Sequence, residues 1–444
     1  MPRHRREEEK NPRPSHVVPQ SNQSLHHHAN SAFAKLMRWW FCERTKDDEK
    51  LSHPADATQW QRFDELYPEF VKDPRNVRFA LSTDGMNPFG ERNSTHSTWL
   101  VILTIYNLPS WLCQKRKDTM LCDVFLEPLM EDMAKLWNDG IKGKKGCLSC
   151  LDATTSEYLD GSKKVVYTKY RRFLVEGHRY RRKQFNNHFD GKDEKGSVPR
   201  RRHDSKHVFD MVKKINIVYG KKIKRTKPLI EVHLFKYLPY WKDLEVPHAI
   251  DCMHLKKNVF DSTICTLMDT KDGLKSRRDP VNMKIRSELH PMEQGNGKFM
   301  LPAASFNLTS AEKRELCLYL QGLKVPTGLS SNIRSLVSMK DLSISGYNAH
   351  DCHMMMTVFL AVAIRAINPV FLLMVVTRMV YFFNKISQKE IRKDVLDSLQ
   401  EFCTKTMAQL EMCFPPSFFD IMPHLIVHMV DQICALGPIY LHEM

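Results

Sequence analysis

Residues 74–90 read PRNVRFALSTDGMNPFG. Val77, Phe79 and Leu81 alternate with Arg78, Ala80 and Ser82, the period of two expected for a strand with one face buried. The strand runs into Ser82-Thr83-Asp84-Gly85, and Pro88 and Gly90 then impose a loop. An aspartate at the end of an apolar strand is how α/β folds present a carboxylate to a ligand or metal ion. Taken alone, an Asp-Gly pair is more often turn chemistry.

Outward from this strand, Thr98–Tyr106 (TWLVILTIY) is nearly continuous, apolar and β-branched, as expected of a strand covered on both faces. Upstream, 32–42 and 58–70 show helical spacing. Downstream, Val124–Trp137 has apolar residues at helical spacing and ends at Asn138-Asp139-Gly140. From Thr309 the pattern is helical: Glu312–Leu323, His353–Ile367, Val370–Ile386 and Ile391–Met412, with Thr309 offering N-cap chemistry to the first. The apolar run 359–383 is interrupted by Arg365, Pro369 and Arg378. Only 12 uncharged residues separate the two arginines, too few to span a bilayer, so no membrane partner is expected. No secretory leader is visible, because MPRHRREEEKNPRP lacks an apolar stretch. Twelve cysteines, mostly isolated, point to free thiols in a reducing compartment.

Three phrases extend the reading from residues to a family. They are NVRFALSTDGMNPFG with STWLVILTIYNLPSWLC, then LPYWKDLEVPHAIDCMHLKKNVFDS at 238–262, then SSNIRSLVSMKDL, AHDCH, LEMCFPPSFFDIMPHLIVH and GPIYLHEM in the last third. Together they resemble, in order over about 51–444, plant CACTA (En/Spm-type) DNA transposases with their C-terminal transposon-associated domain. The resemblance implies a fold of α/β plus α: an incomplete ribonuclease H-like catalytic region followed by a largely α-helical region. The corresponding division is a disordered tail at 1–31, a ribonuclease H-like region at 32–262 with a basic insert at 161–227, a linker at 263–304, and a helical domain at 305–444.

The family's chemistry is strand cleavage and transfer at transposon ends by paired Mg²⁺ (or Mn²⁺) ions, held by carboxylates that bridge and flank them. The resemblance places the first acid at Asp84 and the second at Asp251, with His254 completing an Asp-x-x-His motif. Shared ions would require the two carboxylates within about 4–8 Å of each other. Asp251 also has an ordinary reading as a helix N-cap. The third acid has two candidates, Asp351 in His350-Asp351-Cys352-His353 and Glu411 in Leu410-Glu411-Met412, where helix capping is the competing role.

Cys147-Leu148-Ser149-Cys150 is the CxxC of the chain, a pair able to hold one Zn²⁺ if two further ligands join it. The family follows this pair with a His-Arg-Arg-Phe-Leu phrase and a second histidine. Here the phrase begins with Tyr170, while His178 remains, so Cys147, Cys150 and His178 are the expected zinc ligands, with His188 or water filling in.

The formal charge is +16, and 161–227 holds 22 Lys and Arg against 6 Asp and Glu, a surplus as large as that of the whole chain. Arg171, Arg172, Arg179, Arg181, Arg182, Lys183, Arg200, Arg201, Arg202, Lys221, Lys222, Lys224 and Arg225 are the expected DNA contacts. They are interleaved with Tyr170, Phe173, Tyr180 and Phe185, and would bind phosphates without reading sequence. A solvated basic loop is the competing reading. The last run also resembles a nuclear import signal, making the nucleus the expected compartment. Transposon ends or duplex DNA, a second copy of the chain, or another element-encoded protein are the expected partners.

The sequence departs from the family in ways that bear on activity. Stretches expected after Gln114–Lys117 and after Asp139-Gly140-Ile141 are missing, so that Lys142–Lys145 joins directly to the CxxC. The family's chains also continue beyond Met444. A sheet without a central strand leaves neighbouring backbone groups unpaired. The expectation is an internally deleted, C-terminally truncated transposase derivative without catalytic activity. The alternative is a non-catalytic nuclear DNA-binding or protein-interaction remnant.

Overall fold

A computed structural model describes residues 31–86, 98–113, 120–122, 147, 149–150, 154–193, 198, 202–203, 205–213, 238–325, 332–366 and 368–442. The expected tail at 1–31 (apart from Ser31), the expected helix at 124–137, and Arg200, Arg201, Lys221, Lys222, Lys224 and Arg225 lie outside the described residues. The chain forms two compact units, 1–45 with 69–138, and 46–68 with 139–444.

In the first unit, β1 (Phe79–Met86), β2 (Thr98–Ile105) and β3 (Met120–Cys122) form an antiparallel sheet in the order β1-β2-β3. Phe79 pairs with Ile105, Asp84 with Leu100, and Val101 with Cys122. This sheet is the described part of the strands read as ribonuclease H-like. Leu103, Thr104, Ile105 and Tyr106 are all buried, so both faces of β2 are covered at this end. The alternation in β1 is real, but its covered face is not the one expected. Phe79 and Leu81 are 41% and 42% exposed. Arg78 instead turns inward, with its guanidinium 4.9 Å from the Trp40 ring and 5.5 Å from Phe70. Two aromatic faces replace water around that cation.

The second unit is mainly helical. Its labelled elements are α1 (Thr58–Leu66), the hairpin β4 (Glu157–Leu159) and β5 (Lys164–Val166), α2 (Ser205–Val212), α3 (Cys252–Leu267), α4 (Leu274–Met283) and α5 (Ser310–Gly322). After these come α6 (Ala349–Met354), α7 (Val370–Ile386), α8 (Leu396–Cys413), α9 (Ile421–Leu425) and α10 (Met429–Leu436). The α7 helix buries Leu372, Val375, Val376, Met379, Val380 and Phe383, the spacing that turns one helical stripe inward. The α5 helix begins as expected, with Thr309 and Glu312 forming a capping box. The segment expected as one helix over 353–367 is α6, a π-turn at Met355–Phe359, a short helix Leu360–Ala363 and a 3₁₀ turn. Among the described residues no helix is long and apolar enough to cross a membrane.

Two boundaries differ from the sequence reading. The stretch 263–304 is not a linker. It contains the end of α3 and all of α4, where Arg277 is buried, forks onto Asp272 at 2.6–2.9 Å, and stacks 5.3 Å from the Phe306 ring. Its polar composition does not mean exposure, because these charges neutralise each other inside. The first part of the basic insert is not a loop either. Tyr170, Phe173, Leu174, Tyr180 and Phe189 share one apolar core with α3, α7 and α8.

The hairpin turn is held by a close backbone approach. Asp279 accepts from Gly161 N at 2.8 Å, and a β-carbon at Gly161 would overlap the Lys275 carbonyl oxygen and sit 2.6 Å from Asp279 Oδ1. Gly161→Ala should therefore lower stability by about 1–3 kcal/mol through overpacking. Denaturant unfolding of the two proteins checks this, and an unchanged midpoint contradicts the close approach.

Candidate metal centre

The CxxC finds its partners far along the chain. Cys147 and Cys150 lie beside His424 on α9 and His428 on the following 3₁₀ turn (Ile426–His428), and one ligand atom from each lies within 4.8 Å of all the others. Cys147 Sγ is 3.3 Å from His428 Nε2, Cys150 Sγ is 3.1 Å from His424 Nε2, and the two Nε2 atoms are 3.4 Å apart. A Zn²⁺ ion with Zn–S near 2.3 Å and Zn–N near 2.0–2.1 Å sets tetrahedral edges of roughly 3.3–3.8 Å, so this spacing matches a four-coordinate site. All four residues are buried.

Local sequence explains the geometry. Asp420 caps α9 by accepting from Met422 N, and one helical turn then separates His424 from His428. Thr154 Oγ1 lies 3.1 Å from Cys150 Sγ, while His203 donates its backbone N–H to Ser149 O and its Nε2 lies 3.2 Å from Cys150 O. Tyr167, Tyr170 and Phe173 pack their rings 5.4, 6.4 and 6.2 Å from His424. The Cys150 thiol, opposed by burial and helped by His424 and His428, holds the Cys147 thiol well below its usual value. Burial keeps His424 below the ordinary histidine value, which favours the neutral ligating form. Two thiols and two imidazoles closing on one point fill every position of a tetrahedron. That is the arrangement of a structural site, with no coordination position for substrate.

The sequence reading located the two cysteines but not the histidines. His178 is absent from the cluster; its Nδ1 accepts from Tyr180 N at 3.2 Å, closing the turn ahead of Arg179. Tyr170 is a wall of the site rather than a substituted ligand. The available signal was the His-x₃-His spacing at 424–428, a common zinc half-site that lies more than 270 residues beyond the CxxC.

The carboxylates meet different fates. Asp84 and Asp251 belong to different compact units. Asp251 caps α3, accepting from His254 N at 2.9 Å, and its Oδ2 is 2.5 Å from His254 Nδ1. Both side chains remain about half exposed. Burial works to raise the Asp251 carboxyl, but the His254 side chain and backbone donors outweigh it and hold it below the usual range. Asp351 is buried at the third position of α6, in a capping box with Asn348. Glu411 is also buried and accepts from Lys169 N at 2.7 Å and Tyr170 N at 2.8 Å. Neither candidate third acid faces solvent, because each is spent on orphan backbone donors.

Of the expected DNA contacts, Arg171 is fully buried, 2.8 Å from Asp190 and stacked 4.9 Å from the Phe189 ring, so it is a core residue. Arg202 pairs with Glu245 at 3.2 Å. Arg179, Arg182 and Lys183 are exposed, and Arg172 and Arg181 are half-buried.

Comparison with known families gives two matches. Residues 48–143 and 140–215 match the model described as transposase family tnp2, and 386–444 match a domain of unknown function. No curated protein and no solved structure matches the chain. Over 48–215, somewhat more than a third of its length, the chain is similar to transposase family tnp2.

Proposed function

We propose that this protein derives from a plant CACTA (En/Spm-type) transposase and acts on DNA in the nucleus without cleaving it. The observation that carries this reading is the joint one. A region matching the tnp2 family meets the C-terminal region where Cys147 and Cys150 lie beside His424 and His428. Zn²⁺ is the ion that this donor set favours. When bound, it supplies a cross-link rather than chemistry, and the four residues orient the α9–α10 segment against the CxxC turn.

The ancestral reaction is metal-dependent hydrolysis and strand transfer, with Asp84 and Asp251 as Mg²⁺ or Mn²⁺ ligands within a ribonuclease H-like fold. Support for loss of that reaction comes from two places. The tnp2 match breaks into two segments that overlap at 140–143, where the resemblance expects a further stretch. In addition, Asp351 and Glu411 are buried in capping roles, which leaves neither of them to complete a two-metal site. Displaced reacting groups in such chemistry cost about 10²-fold for small shifts.

The test is an excision assay on a matching terminal-repeat substrate with Mg²⁺ or Mn²⁺, alongside an Asp84→Ala control. No product above the control is expected. Cleavage by the natural chain that disappears in Asp84→Ala overturns the non-catalytic reading.

A further inference from the structure

The 3₁₀ turn Arg179–Arg181, α7 and α8 bring cations together around one buried phenol. Tyr180 Oη receives hydrogen bonds from Arg179 Nη2 and Gln409 Nε2, both at 3.0 Å. The Arg179 guanidinium lies 4.9 Å from the Tyr180 ring centre. On the neighbouring helices, Arg378 donates to Thr406 Oγ1 at 3.1 Å, and its guanidinium stacks 4.0 Å from the Phe402 ring. Tyr381 packs against Phe402 at 5.2 Å and carries the Lys385 ammonium 5.4 Å from its own ring centre.

The charge here is not neutralised. Among the described residues, Arg179, Arg378, Lys385 and Lys405 make no ion pair with a carboxylate, although Glu401 stands one turn before Lys405 on α8. Two titratable groups register the resulting potential. Burial, then Lys405 and Arg179, hold His178 below the ordinary histidine value. Burial works to raise Tyr180, but the Gln409 and Arg179 donors and the Arg179 and Lys405 charges bring it below the ordinary tyrosine value. Two buried cations of this unit are instead neutralised by carboxylates, Arg277 by Asp272 and Arg171 by Asp190.

We infer that Arg179, Arg378 and Lys405, with Lys385 at the margin, form a composite surface for the phosphate backbone of duplex DNA. The inference rests on the reading of the chain as a DNA-acting protein, and it names the surface. Fixed guanidiniums over Tyr180 and Phe402 are already ordered, so less side-chain entropy is lost when a phosphate arrives. The surface draws on both parts of the chain, because Arg179 lies within the tnp2 match and Lys405 within the C-terminal match. Arg182, exposed three residues after Arg179, extends the positive face.

The experiment titrates the full chain with a labelled duplex of unrelated sequence across a series of salt concentrations. Each lost phosphate contact lowers the slope of log affinity against log salt by about one, so R179Q/K405Q should lower it by about two and weaken low-salt binding about tenfold. R179K/K405R should bind as the natural chain does, which separates lost charge from misfolding. Arg314→Gln, an exposed cation on α5, should leave the slope unchanged. If the natural chain fails to bind duplex at low salt, both the DNA reading and the surface fall. If it binds with a steep salt response that R179Q/K405Q shares, the reading stands and the surface is overturned. An equal loss in Arg314→Gln also overturns the surface, since net charge would then be the cause.

Discussion

Cys147→Ser should strip zinc from the protein and lower its unfolding midpoint by about 10 °C. Four-ligand structural zinc sites contribute about 10–16 kcal/mol of apparent binding energy, so losing one ligand of four forfeits roughly 3 kcal/mol or more. At about 2–4 °C per kcal/mol for a domain of this class, the shift is easily measured. A bound ion also joins residue 147 to residue 428, and closing so long a loop restricts the unfolded chain. Elemental analysis and a thermal melt should show stoichiometric zinc in the natural protein, with a chelator reproducing the Cys147→Ser midpoint. Cys317→Ser alters a buried thiol outside the cluster and should keep the metal. A natural protein that carries no zinc at neutral pH, and melts the same with or without chelator, contradicts the metal reading. Acid should release the ion, because thiolates and neutral imidazoles are the binding forms.

Glu411→Ala should cost about 3–5 kcal/mol, which is unusual for a residue no ligand reaches. Its carboxylate is the acceptor for the Lys169 and Tyr170 N–H groups. Tyr170 in turn packs against Phe419 and His424. Beside it, Arg286 donates to the Phe414 carbonyl at 2.6 Å and to the Glu411 backbone carbonyl. Removing the side chain leaves two buried donors without partners and a cation without its nearby negative charge.

The pH dependence has a definite sign. Burial raises the Glu411 carboxyl to about 7 in the folded chain, against opposing donation from Lys169 and Tyr170. The folded state therefore favours the protonated acid. This contribution to stability is full below the unfolded value near 4.5, declines as pH rises, and is lost once pH passes about 7. The total change is about 3 kcal/mol. Urea unfolding from pH 4.5 to 8 should show this decline in the natural protein and a flatter profile in Glu411→Gln. Identical profiles would mean that Glu411 does not titrate in this range.

Much of the architecture was legible in local pattern. Val370–Ile386 begins and ends where its apolar spacing says it should, and Thr309 caps the helix that its Thr-x-x-Glu box announces. Periodicity and capping act over a few residues, so a single chain carries them openly. The existence of the strands β1 and β2 followed the same logic. Which face of β1 is covered did not, since alternation marks two faces without saying what packs on either.

By itself the sequence determined the Val370–Ile386 helix and the Thr309 cap, the presence of a CxxC, the concentration of basic charge, and a likeness to transposases carried by long phrases. The helix expected over Ile391–Met412, by contrast, starts only at Leu396, after a short strand at Ile391–Arg392. Only the tertiary structure decided which groups meet. His424 and His428 join Cys147 and Cys150 across more than 270 residues. Arg171 leaves the expected DNA surface for Asp190 and Phe189, and Glu411 turns from candidate catalyst to backbone clamp. The physical reason is common to all three. A ligand, an ion pair and a buried acceptor are each defined by a partner, and partners distant in sequence are chosen by how the core packs rather than by any local period.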